Sequence, residues 1–304
     1  MSIPDSSPVS STAPGGATPL DGIGVSLSGG GYRAMLFHLG SLWRLAELGY
    51  LGTADRDGRH APLGTLERIS SVSGGSITSA ALGLAWDRLK VDEAGLRERF
   101  IKKVVEPIQS FADGSTLTPM GVLWNALVST VNKRVVKDYR KRLFGDATLQ
   151  DLPDHPRFVI NATNLQSGAL WRFSKPYTRD WRVGKIKNPA DLIAMAVGAS
   201  SAFPPFLSPA RFNYAESDYE PASGSDLQIP PYTTRPALAD GGVYDNLGLE
   251  TVFKHFKTII VSDAGGGYET QEYIPAGWVR QTVARNRTPR TPLRTPLGTP
   301  LRTL

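Results

Sequence analysis

The stretch SLSGG at Ser26–Gly30 returns, with one substitution, as SVSGG at Ser71–Gly75. Each copy follows a run with strand character and leads into a run with helix character. A serine at a glycine-flanked strand-to-helix turn is where a hydrolase exposes a nucleophile, because small residues on either side let the turn close without collision. The copies differ in the residues that come next. After Ser28 come Gly29, Gly30 and Gly31, then Tyr32 and Arg33. Backbone N–H groups bared by glycine at a helix N-terminus, with an arginine just inside, attract negative charge. After Ser73 comes GGSITSAALGLAW, a helix of mostly small residues that can lie close on a sheet. The first copy suits an anion or oxyanion receptor and the second a rigid elbow, but spacing alone does not rank the two serines.

Outward from these turns, Met35, Leu39, Leu42 and Ala46 fall at helical spacing between Arg33 and Leu48, with Gly49 beyond the end. GIGVSL at 22–27, LERISSVS at Leu66–Ser73, FVINATNL at Phe158–Leu165 and LWRFSK at Leu170–Lys175 read as strands. TIIVSDAGG at Thr258–Gly266 reads as a buried strand with a glycine-rich exit. Helices are expected over Glu93–Glu106, Met120–Leu143, Asp191–Gly198 and Leu247–Lys257, and ADGG at Ala239–Gly242 is expected in a turn. Repetition of strand, glycine turn and helix predicts an α/β sheet covered on both faces.

Composition narrows the function classes. At 304 residues, 40 % hydrophobic and 20 % charged, the chain is of ordinary globular type. Its apolar runs fall far short of the roughly 20 residues that span a bilayer. The start, MSIPDSSPVSSTAPGGATPLDG, has neither the basic nor the apolar region of a secretory signal. With no cysteine there is no disulfide framework and no thiolate metal site. A cytoplasmic location, with peripheral contact at a membrane surface, is the expectation.

The net charge of +6 is matched by the six arginines Arg280, Arg285, Arg287, Arg290, Arg294 and Arg302 of a Thr/Pro-rich tail. The body is thus near neutral, and no nucleic-acid partner is expected. The division expected is a disordered lead-in at 1–19, one domain at 20–279 and a basic low-complexity tail at 280–304.

A serine nucleophile needs a base. His255 follows Ser73 and Asp240 in the chain order Ser, Asp, His used by one large hydrolase class. A carboxylate can instead activate a serine directly when the two are in hydrogen-bond reach. Asp240 in LADGG and Asp263 in VSDAGG, both at glycine-flanked turns, are the candidates. The glycine loop could also cradle a phosphate in a binding protein, although G-x-x-x-x-G-K-[ST] is absent.

SGGGYRAM at Ser28–Met35, SVSGGS at Ser71–Ser76 and DGG at Asp240–Gly242, in that order, resemble the patatin-like phospholipase superfamily, and the first is also similar to the corresponding loop of cytosolic phospholipase A2. The resemblance spans roughly residues 20–265. It implies a three-layer α/β/α sandwich around a mostly parallel sheet, and a Ser–Asp dyad without metal or cofactor. Carried onto this chain, Ser73 matches the nucleophile and Asp240 the base. Gly29, Gly30 and Gly31 match the oxyanion loop, with Arg33 beside it as a candidate for binding the substrate phosphate. The implied substrates are phospholipids, lysophospholipids or other acyl-ester lipids. Ser71 stands where the family usually has the first glycine of the elbow. The alternatives are an esterase triad of Ser73, Asp240 and His255, and an inactive lipid-binding relative.

Overall fold

A computed structural model describes residues 19–51, 65–89, 95–113, 131–204, 207, 209–253 and 255–265. The lead-in and tail, and residues 120–130 of the helix expected over Met120–Leu143, lie outside the described residues. The first unit is β1 (Leu20–Leu27) followed by α1 (Gly31–Glu47), and the second is β2 (Leu66–Val72) followed by α2 (Gly74–Leu89). Next come α3 (Leu96–Phe100), a π turn at Ile101–Val105 and α4 (Glu106–Asp113), lying where one helix is expected from Glu93. α5 (Val131–Tyr139) and a second π turn (Arg140–Phe144) lead to β3 (Arg157–Asn164). The rest comprises β4 (Leu170–Phe173), β5 (Tyr177–Asp180), β6 (Gly184–Lys187), α6 (Ile193–Ser200), β7 (Ala210–Arg211), β8 (Ala237–Asp240), α7 (Gly242–Asp245) and β9 (Phe256–Ser262).

These strands form one sheet in the order β6-β5-β4-β3-β2-β1-β9, with β8 also pairing with β3 and β7 with β8. The centre, β9-β1-β2-β3, is parallel. β4, β5 and β6 extend it as an antiparallel wing. The short polar strands β5 and β6 have no counterpart in the expected elements.

Alternation along the strands separates the two faces. Ile23, Val25 and Leu27 of β1, Ile69 of β2, and Phe158 and Ile160 of β3 enter one continuous core with Met35, Leu39 and Leu42 of α1 and Ile77 and Leu82 of α2. The other face carries Gly24, Ser26, Arg68, Ser70 and Asn161, under α7 and a run of turns at residues 246–253.

Those turns correct the expectation of a helix over Leu247–Lys257. The carbonyls of Leu247, Gly248 and Thr251 accept from Ser26 Oγ, Ser70 Oγ and Arg68 Nη1 of the strands beneath. Meanwhile the Asp245 carboxylate takes the N–H groups of Leu247, Gly248 and Glu250. Backbone groups that a helix would pair with one another are thus spent on the sheet and on Asp245. Leu249, Val252 and Phe256 form a small apolar cluster, and Val252 and Phe256 press on Gly24. β9 likewise departs from the buried strand expected, being half-exposed along most of its length.

Candidate active site

The two serine turns lie against one another. A Cβ added to Gly74 would sit 2.1 Å from the Gly31 carbonyl oxygen, and one added to Gly75 would sit 2.8 Å from the carbonyl oxygens of Leu27 and Ser28. The glycines after Ser73 are there because the elbow packs directly on the glycine loop. At Gly29 an added Cβ would come within 3.3 Å of Ser73 Cβ.

Ser73 occupies the left-handed region with φ 51, a conformation a non-glycine residue adopts only when its surroundings hold it. Its carbonyl accepts the Ser76 N–H at 2.9 Å as α2 begins, and its N–H donates to Ser200 Oγ at 2.9 Å. It is 7 % exposed.

β3 brings the base candidate to the same point. β2 runs parallel to β3 as far as Val72 opposite Asn161. β8 approaches from the other direction and pairs with β3 up to Asp240 opposite Ala162, the very next residue. The ends of β2 and β8 therefore meet along one edge of β3, and the residue immediately after β2 is Ser73. A Cβ on Gly241 would clash with the Asn161 carbonyl oxygen at 2.5 Å, another close approach that requires glycine. Asp240 stands at a strand end rather than in the turn expected for ADGG, which begins at Gly241. Its carboxylate is buried and accepts the Gly242 N–H at 2.7 Å.

Ser200, at the end of α6, ties these pieces together. Besides accepting from Ser73, its Oγ donates to the Asn161 carbonyl at 2.6 Å, and its own carbonyl accepts the Gly241 N–H at 3.3 Å. Sequence reading passed over Ser200, since a serine in a run of small helical residues carries no signal of its own. Tyr139 forms part of the buried surround. Burial drives its hydroxyl well above the ordinary tyrosine range, and the Tyr32 hydroxyl and the Asp240 charge push the same way.

Ser28 is fully buried, and its Oγ accepts the Ala264 N–H at 2.9 Å. The Gly29 N–H donates to the Asn246 carbonyl at 2.9 Å. Among the described residues the N–H groups of Gly30 and Gly31 donate to no protein acceptor. His38, on the buried face of α1, supports the loop from below: Nε2 lies 2.8 Å from the Ser28 carbonyl and Nδ1 2.8 Å from Ser262 Oγ. A carbonyl only accepts, so Nε2 carries the hydrogen of the neutral ring. Burial lowers the His38 pKa to about 4, so the ring is neutral.

Arg33 is exposed and donates from Nη2 to the Ala264 carbonyl at 3.2 Å. Asp263 is exposed and accepts the Gly265 N–H of its own loop at 2.8 Å. His255 is not brought to the site. It precedes β9, and its carbonyl accepts from Leu20 at the start of β1, whereas Ser262 at the far end of β9 pairs with Leu27 beside the serine turns. The separation is about 20 Å along the strand, so a triad of Ser73, Asp240 and His255 is not assembled. Among the described residues no group of three or more metal-ligating side chains occurs, and no helix is long and apolar enough to cross a membrane.

Among solved structures the chain is similar to human GIVD cytosolic phospholipase A2, with 14 % identity over 79 % of this chain and 42 % of that one, at TM-score 0.45. The same enzyme in complex with methyl gamma-linolenyl fluorophosphonate matches at 17 % identity, covering 80 % of this chain and 39 % of that one, at TM-score 0.44. VipD from Legionella pneumophila matches at 17 % identity over 75 % of this chain and 47 % of that one, at TM-score 0.35. The chain thus spans less than half the length of each of these structures. No curated protein matches it. The family model for patatin-like phospholipase matches residues 25–253, and the chain belongs to that family.

Proposed function

We propose that the chain is a serine acyl hydrolase that cleaves fatty-acyl esters of phospholipids or lysophospholipids, with Ser73 as nucleophile and Asp240 as its base. Family membership points to lipid acyl-ester hydrolysis in general. The observation that carries the finer reading is the meeting of β2 and β8 at adjacent positions of β3, which sets Ser73 beside the end of the strand that carries Asp240. In the reaction, Asp240 takes the hydroxyl proton as Ser73 Oγ attacks the acyl carbonyl carbon. The oxyanion accepts hydrogen bonds from Gly30 and Gly31, whose N–H groups are unspent, whereas that of Gly29 is held by Asn246. Collapse expels the alcohol, which leaves with the proton from Asp240. Water, deprotonated by the same carboxylate, then hydrolyses the acyl-enzyme. Arg33 keeps one donor on Ala264 and presents the others towards a substrate phosphate, for which its planar fork is suited. Transient contact with a lipid surface follows from this substrate class.

Labelling with a fluorophosphonate, together with turnover of a phospholipid and lysophospholipid panel, tests the reading. Wild type and Ser28→Ala should label and turn over. Ser73→Ala should lose both, and Asp240→Asn should lose turnover by ~10⁴-fold or more. Labelling of Ser73→Ala at the wild-type level, or turnover by Asp240→Asn, would overturn it.

A further inference from the structure

The sheet face turned away from α1 and α2 carries cations in opposed positions. Arg68 of β2 stands opposite Arg157 of β3, Arg172 of β4 opposite Arg179 of β5, and Arg179 in turn opposite Lys185 of β6. Tyr177 belongs to the same face. The Arg157 guanidinium and the Lys185 ammonium each lie 5.9 Å from its ring centroid. Like charges directly opposed across strands repel, so such a face is costly unless something answers it.

Carboxylates answer only part of it. Arg172 pairs with Glu250 at 2.7 Å, Lys185 with Glu220 at 2.8 Å, and Lys187 with the same Glu220. Glu67, near Arg68, is 3.7 Å from His155. Arg68 spends Nη1 on the Thr251 carbonyl and lies over the Phe256 ring. Arg157 and Arg179 have no carboxylate partner among the described residues. The Nε–H groups of Arg68, Arg172 and Arg179 are buried without a protein acceptor. Burial holds the Arg68 guanidinium below its ordinary range, and Arg157 and Arg172 push it further down. Six cations thus face three carboxylates on one half-buried surface, in a chain whose body is near neutral.

We propose that this face is a binding site for a phosphate-bearing anion, held by Arg157 and Arg179 beside Tyr177. Guanidinium forks bind phosphate oxygens two at a time, and an anion there would also relieve the repulsion among the opposed cations. The site is separate from the nucleophile. Arg157 pairs at a point on β3 four residues before Asn161, about 13 Å back along the strand from the Ser73 turn, and Arg179, level with Asn161 through Arg172, lies two strands across from β3. Arg68 and Arg172 hold Thr251 and Glu250, so the same face is tied to the turns after α7.

The test uses the full chain and reads binding without ester turnover, so it stands apart from the reading of Ser73. Pyrophosphate is titrated calorimetrically, and retention is measured on phosphatidylcholine vesicles with and without phosphatidic acid. Wild type should bind at least one of the two phosphate sources, and Arg157→Gln/Arg179→Gln should weaken that binding at least about tenfold. Binding of pyrophosphate alone identifies a soluble ligand, and gain on phosphatidic acid vesicles alone identifies a lipid head group. Arg179→Gln by itself should raise the ligand-free melting temperature, because Arg172 and Lys185 lose an opposed charge. The inference fails if wild type binds neither source, if the double variant binds as wild type does, or if Arg179→Gln melts lower than wild type without ligand.

Discussion

The turns at Ser28 and Ser73 share a local sequence and sit against each other, yet their serines are used differently. Ser28 is fully buried and its hydroxyl accepts the Ala264 N–H, holding the exit of β9 to the end of β1. Ser73 is lifted into the left-handed region, with its N–H and carbonyl both engaged. A serine whose oxygen is committed to a backbone donor is part of the frame. A serine whose backbone is clamped on both sides has its side chain aimed by the frame. The duplicated pattern therefore reflects a shared need for close packing of two strand–turn–helix units, and each turn uses glycine to admit the other.

The largest effect on this pairing should come from Gly74→Ala. The new Cβ would lie 2.1 Å from the Gly31 carbonyl oxygen, so the elbow and the glycine loop must separate. On the proposed oxyanion role of the glycine loop, displacing one donor in this way costs roughly 10²–10³ in kcat. Single-turnover acylation with a chromogenic ester would read it, and near-wild-type kcat would show that the turns do not need this contact.

Much of this arrangement was legible in the residues. The small side chains around both serines, the third glycine and the helical stripe from Met35 to Ala46 marked two strand–turn–helix units, and both formed within a few residues of expectation. Less legible were elements whose form depends on partners distant in sequence. LETVFKHFK has helical periodicity, but Arg68 and Asp245 draw off backbone groups of Thr251 and Glu250, and Ser26 and Ser70 hold the carbonyls of Leu247 and Gly248 just before it. β5 and β6 are short and polar, and the pairing of β5 with β4 and of β6 with β5 makes them strands. The approach of Asp240 to Ser73 arises from β8 taking up the edge of β3 just where β2 leaves it, a meeting of segments 167 positions apart in the chain that no local pattern announces.

Each turn has its own buried support, which allows the comparison to be sharpened. His38 holds the first through the Ser28 carbonyl, with its pKa lowered to about 4 by burial. The unfolded chain then binds a proton near pH 6.5 that the folded chain refuses until about pH 4. Stability from this group is complete above pH 6.5 and is lost as pH falls towards 4, by about 3 kcal/mol in all. His38→Gln keeps a donor for the Ser28 carbonyl but does not titrate. Urea midpoints should therefore fall less between pH 7 and pH 4 for His38→Gln than for wild type. Parallel decline in both proteins would mean that His38 is not the buried neutral support described.

Ser200 is the corresponding support of the second turn, and its loss should be the mildest of the three. Ser200→Ala removes the acceptor of the Ser73 N–H and the bond to the Asn161 carbonyl, while the Ser200 carbonyl still receives the Gly241 N–H. A buried donor left without a partner costs about 1–3 kcal/mol. That cost falls on the one residue held at positive φ at the end of β2, so, with Ser73 as the proposed nucleophile, it should appear in turnover rather than in substrate binding. The expectation is a kcat lower by roughly tenfold with KM little changed. Ser200→Thr, which restores the hydroxyl, should recover part of the loss where space permits its methyl group. Equal falls in kcat for Ser200→Ala and Ser200→Thr would point to packing around α6 rather than to the hydroxyl. A rise in KM alone would place Ser200 in the substrate-binding wall, and the two turns would then differ in what they bind as well as in how they are held.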